Sequence, residues 1–149
     1  MKISTKGRYG LRSMVDLAVN SSGDQVPLCS IAERQNISEN YLEQVFSALR
    51  KAGLVKSIKG AQGGYVLADH PSNIKVGSIL RCLEGDLLVV DPDSVDDNSS
   101  EYTIQKCIKV NVWDRINESI EKVVDSLTLE DLVNDYKKMN DKYFPMYYI

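Results

Sequence analysis

Residues 28–67 read LCSIAERQNISENYLEQVFSALRKAGLVKSIKGAQGGYVL, and their patterning decides the fold. Leu28, Ile31 and Ala32 form the stripe of a short helix. Pro27 suits its start, and Ser30 to Glu33 has capping-box spacing as an alternative start. Asn36-Ile37 makes a turn, and Ser38 is an N-cap for a second helix. Leu42, Val45, Phe46 and Leu49 mark the inward face of that helix, which stops at Gly53 with Arg50 and Lys51 in its last turn. Residues 54–58 then read as a strand, residues 60–64 as a glycine-rich tip and residues 65–67 as the returning strand. A helix pair about a tight turn, backed by a thin hairpin, is a winged helix-turn-helix. The fold class is therefore mainly α with a small β-hairpin wing.

Outward from this stretch, Leu11, Met14, Val15, Leu17 and Ala18 predict a helix over residues 7–20. Val76, Ile79, Leu80 and Leu83 predict another over residues 76–83. Residues 87–102 are acidic and rich in Ser, Asn and Asp, as in a mobile linker or loop. Val112, Trp113, Ile116, Ile120, Val123, Val124 and Leu127 recur in steps of about three and four along one long helix with a continuous seam. A seam too long to cover itself packs against a twin, so Trp113, Ile116, Ile120, Val123, Val124 and Leu127 are the expected homodimer residues. Thr128 restarts a short helix through Leu129, Leu132 and Val133, with Asp131 placed to cap it. The predicted division is a winged helix-turn-helix over 1–85, an acidic linker over 86–106, and a dimerisation helix with tail over 107–149.

Charge is distributed unevenly along the 149 residues. Residues 1–70 carry nine Lys/Arg against six Asp/Glu, and residues 71–149 carry nine against fifteen, which together give the net −3. That asymmetry suits a basic contact surface on the first half. A reading helix needs polar side chains on its outer edge. Ser38, Glu39, Asn40, Glu43, Gln44 and Ser47 supply them, with Gln44 able to pair with adenine and Glu43 with the cytosine amino group. Tyr41 can touch the backbone, and Lys2, Lys6, Arg8, Arg12, Arg50, Lys51 and Lys56 can hold phosphates. At the wing tip, Lys59 beside Gly60, Gly63 and Gly64 suits the narrow, negative minor groove. These glycines lead into a strand rather than a helix, so they are no nucleotide fingerprint. No nucleophile–base set, phosphate loop or metal-ligand spacing points to an enzyme. The winged helix can also serve as a protein-interaction scaffold.

No apolar run of about 18 residues and no signal-peptide h-region occurs, so a cytoplasmic protein is expected. Cys29, Cys82 and Cys107 are odd in number and widely spaced, unlike a disulfide framework. Cys29 and Cys82 read as packing residues on helices; Cys107 is a small hydrophobe or a redox thiol. His70 precedes Pro71 in a loop. The aromatic end Phe144-Pro-Met-Tyr-Tyr-Ile149 reads either as a segment docked on its own domain or as a partner tail.

Lys2-Ile-Ser4-Thr-Lys-Gly-Arg-Tyr9, Ile31-Ala-Glu33, Ser38-Glu-Asn-Tyr-Leu-Glu-Gln44, Leu49-Arg-Lys-Ala-Gly-Leu-Val55 and Gly63-Gly-Tyr65 resemble the Rrf2 family of bacterial winged-helix regulators. The resemblance covers nearly the whole chain. It implies a homodimer held by the long C-terminal helix and bound to an imperfect palindrome. It places Ser38, Asn40, Glu43 and Gln44 in the major groove and Lys59 in the minor groove, with Ser4 among the DNA-binding residues. Cluster-binding relatives hold iron–sulfur through three grouped cysteines and a further ligand just inside the long helix. Here only Cys107 matches one of those cysteines, and Val110 stands at the further position, so no cofactor is expected. The ending is similar to that of the family's repressors of cysteine metabolism, and to the C-terminal isoleucine with which serine acetyltransferase enters cysteine synthase (O-acetylserine thiol-lyase). That likeness makes Tyr147, Tyr148 and Ile149 an expected tail for cysteine synthase. An iron–sulfur or thiol-based sensor of the same fold stays open as the alternative.

Overall fold

A computed structural model describes residues 1–91 and 101–143. Ser4 caps α1 (Thr5–Asn20), its hydroxyl accepting from the Gly7 amide, two residues before the start that apolar spacing indicates. α2 (Leu28–Gln35) follows Pro27, which is extended and precedes the helix rather than opening it. The turn closes at Asn36, whose φ of 54° puts it in the left-handed region that short polar side chains tolerate. Ser38 then caps α3 (Glu39–Lys51), accepting from the Tyr41 amide at 3.3 Å. Ala52 ends the helix, and Gly53, at φ 78°, reverses the chain into the wing.

The wing pairs β1 (Val55–Ile58) with β2 (Gly64–Leu67) in antiparallel register, Val55 opposite Leu67 and Ile58 opposite Gly64. Val26, between α1 and α2, exchanges two backbone hydrogen bonds of 2.9 Å with Tyr65, so the wing leans on that connection. Close approach explains Gly64: a Cβ there would collide with the Val26–Pro27 backbone. A 3-10 turn (Pro71–Asn73), capped by His70, leads to α4 (Val76–Glu84). The core lies among α1–α4 and the wing, with Met14, Leu17, Ile31, Leu42, Phe46, Leu49 and Ile79 wholly buried.

The C-terminal half is more deeply joined to this unit than the expected linker implies. Leu87 is buried beside Val76 and Leu80, and the Val89 amide donates to Asn117 Oδ1 at 3.0 Å. Residues 92–100 of the linker lie outside the described residues. Helix resumes at α5 (Ile104–Ile108), within the expected linker. It passes through a π-helical turn (Lys109–Trp113) into α6 (Asp114–Ser126) without leaving helical backbone angles.

The apolar seam divides between two faces, which corrects the single twin-facing row. Val124 and Leu127, with Ile120, pack on Val76, Leu80 and Leu87 of the same chain. Val112, Ile116 and Val123 remain exposed, along a shallow groove that Ile120 also borders. Trp113 is half-buried.

Thr128 and Asp131 form a reciprocal cap for α7 (Leu129–Tyr143), with bonds of 3.0 and 3.2 Å. This helix is long rather than short. Leu129, wholly buried, joins the main core. The Val76 amide donates to Leu127 O and the Leu129 amide to Ile74 O, both at 2.9 Å, stitching the α6–α7 corner to the start of α4. Gly77 allows that closeness, because a Cβ there would strike the Asp125 carboxylate and lie 2.7 Å from Arg81 Nη1. Among the described residues no helix is long and apolar enough to cross a membrane.

Candidate nucleic-acid interface

α3 buries Leu42, Val45, Phe46 and Leu49, so its remaining edge is turned to solvent by helical geometry alone. On that edge Ser38, Glu39, Asn40, Glu43 and Gln44 are exposed and Ser47 is half-buried. Asn40, Glu43, Gln44 and Ser47 line one shallow cleft, the row of donors and acceptors that base edges require. Ser38 spends its hydroxyl as an acceptor on the α3 cap. Tyr41 is half-buried, its ring meeting Tyr9 edge-on at 6.0 Å, which ties α3 to α1. Arg50 and Lys51 sit in the last turn of α3, at the negative pole of the helix, and line neither this cleft nor the wing groove.

A wider open groove, about 1110 Å³, runs between the wing and the beginnings of α2 and α3. Glu39 and Glu43 border it on one side, and Lys59, Gly60, Gly63 and Gly64 on the other. Gly60, at φ 128°, occupies backbone space reserved for glycine, which keeps the tip thin. Lys59 and Lys56 are exposed. The Gln25 side-chain amide donates to Gln62 O at 2.6 Å, a brace on the tip that sequence reading missed.

Lys2, Lys6 and Arg8 are exposed at the start of α1. Ser4 is fully engaged by the fold: its amide and its hydroxyl both donate to Glu84 Oε1. Arg12 is likewise held, donating to Gln35 O with its guanidinium 5.0 Å from the Tyr9 ring. A buried carboxylate sets the angle of α1 to α2. The Asp16 side chain is 2% exposed and accepts from Arg34 Nε at 3.0 Å, Arg34 Nη2 at 2.7 Å and Gln35 Nε2 at 2.7 Å. The hydrogen bonds to Asp16 hold the Arg34 guanidinium above its usual range. Neither Asp16 nor Arg34 carries a motif, and only their apposition reveals them.

The cysteines occupy α2, α4 and α5. Cys29 is exposed on α2, which corrects its reading as a packing residue. Cys82 is half-buried, its thiol donating to Ala48 O at 3.5 Å, and burial pushes that thiol up. Cys107 lies beside Asn111, whose side-chain amide donates to Cys107 O at 2.9 Å and reaches its sulfur at 3.5 Å. The hydrogen bond to Cys107 pushes the Tyr102 hydroxyl up. No three His, Cys, Asp or Glu side chains gather into a metal site among the described residues, and the full sequence has neither Cys nor His in residues 92–100. These donors do not fit an iron–sulfur cluster, which takes about four ligands, mostly thiolates.

The Rrf2 family model, described as an iron-dependent transcriptional regulator, matches residues 3–135. The HTH-type transcriptional regulator CymR of Bacillus subtilis strain 168 is 46% identical over 149 residues, 100% of both chains. The HTH-type transcriptional regulator IscR of Pectobacterium atrosepticum is 36% identical over 140 residues, 94% of this chain and 84% of its own. The solved structure of B. subtilis CymR, called the global cysteine regulator, superposes with a TM-score of 0.76 at 47% identity, covering 90% of this chain and 97% of that one. Transcriptional regulators of this family bind DNA and work as dimers. The polar edge of α3, the glycine-tipped wing and a family pattern running through both halves agree: the chain belongs to the Rrf2 family and is a transcriptional regulator, not an enzyme.

Proposed function

We propose that this protein is a homodimeric, cytoplasmic repressor of cysteine and sulfur metabolism that reads a palindromic operator and needs no iron–sulfur cluster. The observation that carries the DNA reading is the cleft of Asn40, Glu43, Gln44 and Ser47 on the solvent edge of a helix whose other face is locked in the core. Two such edges related by a two-fold axis address half-sites about 34–36 Å apart. The metabolic assignment is supported by full-length similarity to CymR. The absence of a cluster is supported by the scattered thiols and by Val110, which has no donor atom.

In this reading cysteine synthase acts as co-repressor by gripping Tyr147, Tyr148 and Ile149, which lie outside the described residues. The support is the likeness of the ending to tails that enter that enzyme through a C-terminal isoleucine. Fluorescence anisotropy on a palindromic duplex and a scrambled one, across a salt series, tests the DNA reading. Tight, salt-steep binding to the palindrome alone is expected; equal binding to both overturns it. Deleting Tyr147 to Ile149 should abolish calorimetric binding of cysteine synthase while sparing the dimer, and retained binding overturns the tail. A visible iron–sulfur absorption band after anaerobic purification overturns the cofactor-free reading.

A further inference from the structure

The basic residues before and within the first turn of α1, Lys2, Lys6 and Arg8, sit on a short N-terminal arm. An arm helps to bind phosphates most when it is already ordered, because ordering it during binding costs affinity. A carboxylate from α4 ties this arm down. Glu84, the last residue of α4, accepts through a single oxygen from the Ser4 amide at 3.1 Å, the Gly7 amide at 3.0 Å and the Ser4 hydroxyl. α1 has no acidic residue in its first turn, so Glu84 supplies from α4 the negative charge that a helix N-terminus favours. Gly7 makes the approach feasible, because a Cβ there would run into the Glu84 carboxylate. Ile3 adds an apolar anchor on Val76, Leu80 and Leu87. One turn back on α4, Arg81 pairs with Asp125 of α6 through two bonds of 2.7 and 2.9 Å. The helix that holds the arm is therefore itself clamped to the helix carrying the exposed Ile116 and Val123.

We propose that Glu84 is a positioning residue of the DNA interface: it touches no nucleic acid, but holds Lys2, Lys6 and Arg8 in fixed relation to α3. This rests on the reading of the arm as a phosphate contact. Electrostatics alone predicts the opposite sign, since removing a carboxylate near the phosphate path would tighten binding. Positioning predicts weakening.

The test measures operator affinity against salt for the full-length dimer and four variants. Glu84→Ala should bind about tenfold more weakly and lower the salt slope by about one to two, with dimer mass unchanged. Glu84→Gln, which keeps an acceptor oxygen, should retain most of the slope. Gly7→Ala adds a good helix former yet displaces the carboxylate, so it should lower the slope while the dimer mass stays unchanged. An unchanged slope or tighter binding in Glu84→Ala and Gly7→Ala overturns the proposal. The doubly substituted Lys6→Ala, Arg8→Ala protein separates the two failures. If its slope falls while that of Glu84→Ala does not, Glu84 is no positioning residue. If its own slope is unchanged, the arm reading falls and takes the proposal with it.

Discussion

At the scale of single residues, Gln44 and Arg34 illustrate two different dependences on surroundings. Gln44 is exposed and lines the α3 cleft, so its replacement disturbs no packing. Gln44→Ala should therefore leave folding intact and erase about 1–3 kcal/mol of discrimination at one base pair. Competition by duplexes substituted one position at a time reads this directly; an unaltered preference profile removes Gln44 from the readout. Arg34 works from behind. Arg34→Met would leave the buried Asp16 carboxylate with the Gln35 side-chain amide but no cation. Arg34 is 39% exposed, so part of the pair is screened by water, and a loss of about 2–3 kcal/mol is expected rather than the full penalty for a buried pair. Urea unfolding at fixed protomer concentration checks it, and a loss below about 0.5 kcal/mol refutes the structural role. The sequence exposes the first residue and hides the second. Polar residues on the free edge of α3 stand out against its apolar stripe, whereas Asp16 lies on the buried side of α1 and its partner follows 18 positions later.

At the scale of elements, local signals carry far. The Ser38 cap, the stop near Gly53 and the glycine-rich wing tip are legible because each reflects backbone chemistry within a few residues. What escapes is which surface an apolar row meets. The row on α6 has the same periodicity whether Val124 faces a twin or, as here, α4 of its own chain. The π-helical turn before α6 has no simple residue signature either. The ion pair between α4 and α6 adds a pH signature. Arg81 hydrogen bonds hold the Asp125 carboxyl below its usual range. Its stabilisation is whole above the ordinary aspartate value near pH 4 and fades as pH falls through the lowered value. The melting temperature of the native protein should thus drop more steeply in acid than that of Asp125→Asn, with the two curves converging at the acid end. Parallel curves would show that the pair contributes nothing to stability.

At the scale of the whole molecule, Val112, Ile116 and Val123 form an apolar row that the protomer leaves exposed, while Ile120, Val124 and Leu127 pack on α4 and Leu87 of the same chain. Introducing Ile116→Glu together with Val123→Glu should yield a monomer by sedimentation that still melts cooperatively, because the internal packing of α6 on α4 is untouched. Operator affinity should fall by at least about a hundredfold, since two linked half-site contacts become one. A double variant that stays dimeric would place the interface elsewhere.

The paired bonds between residues 74–76 and 127–129 carry one more implication. They make a rivet between the reading head and the rear helices that does not run through residues 92–100. Through Leu129 and this rivet the start of α7 is fastened directly to the main core and to the start of α4.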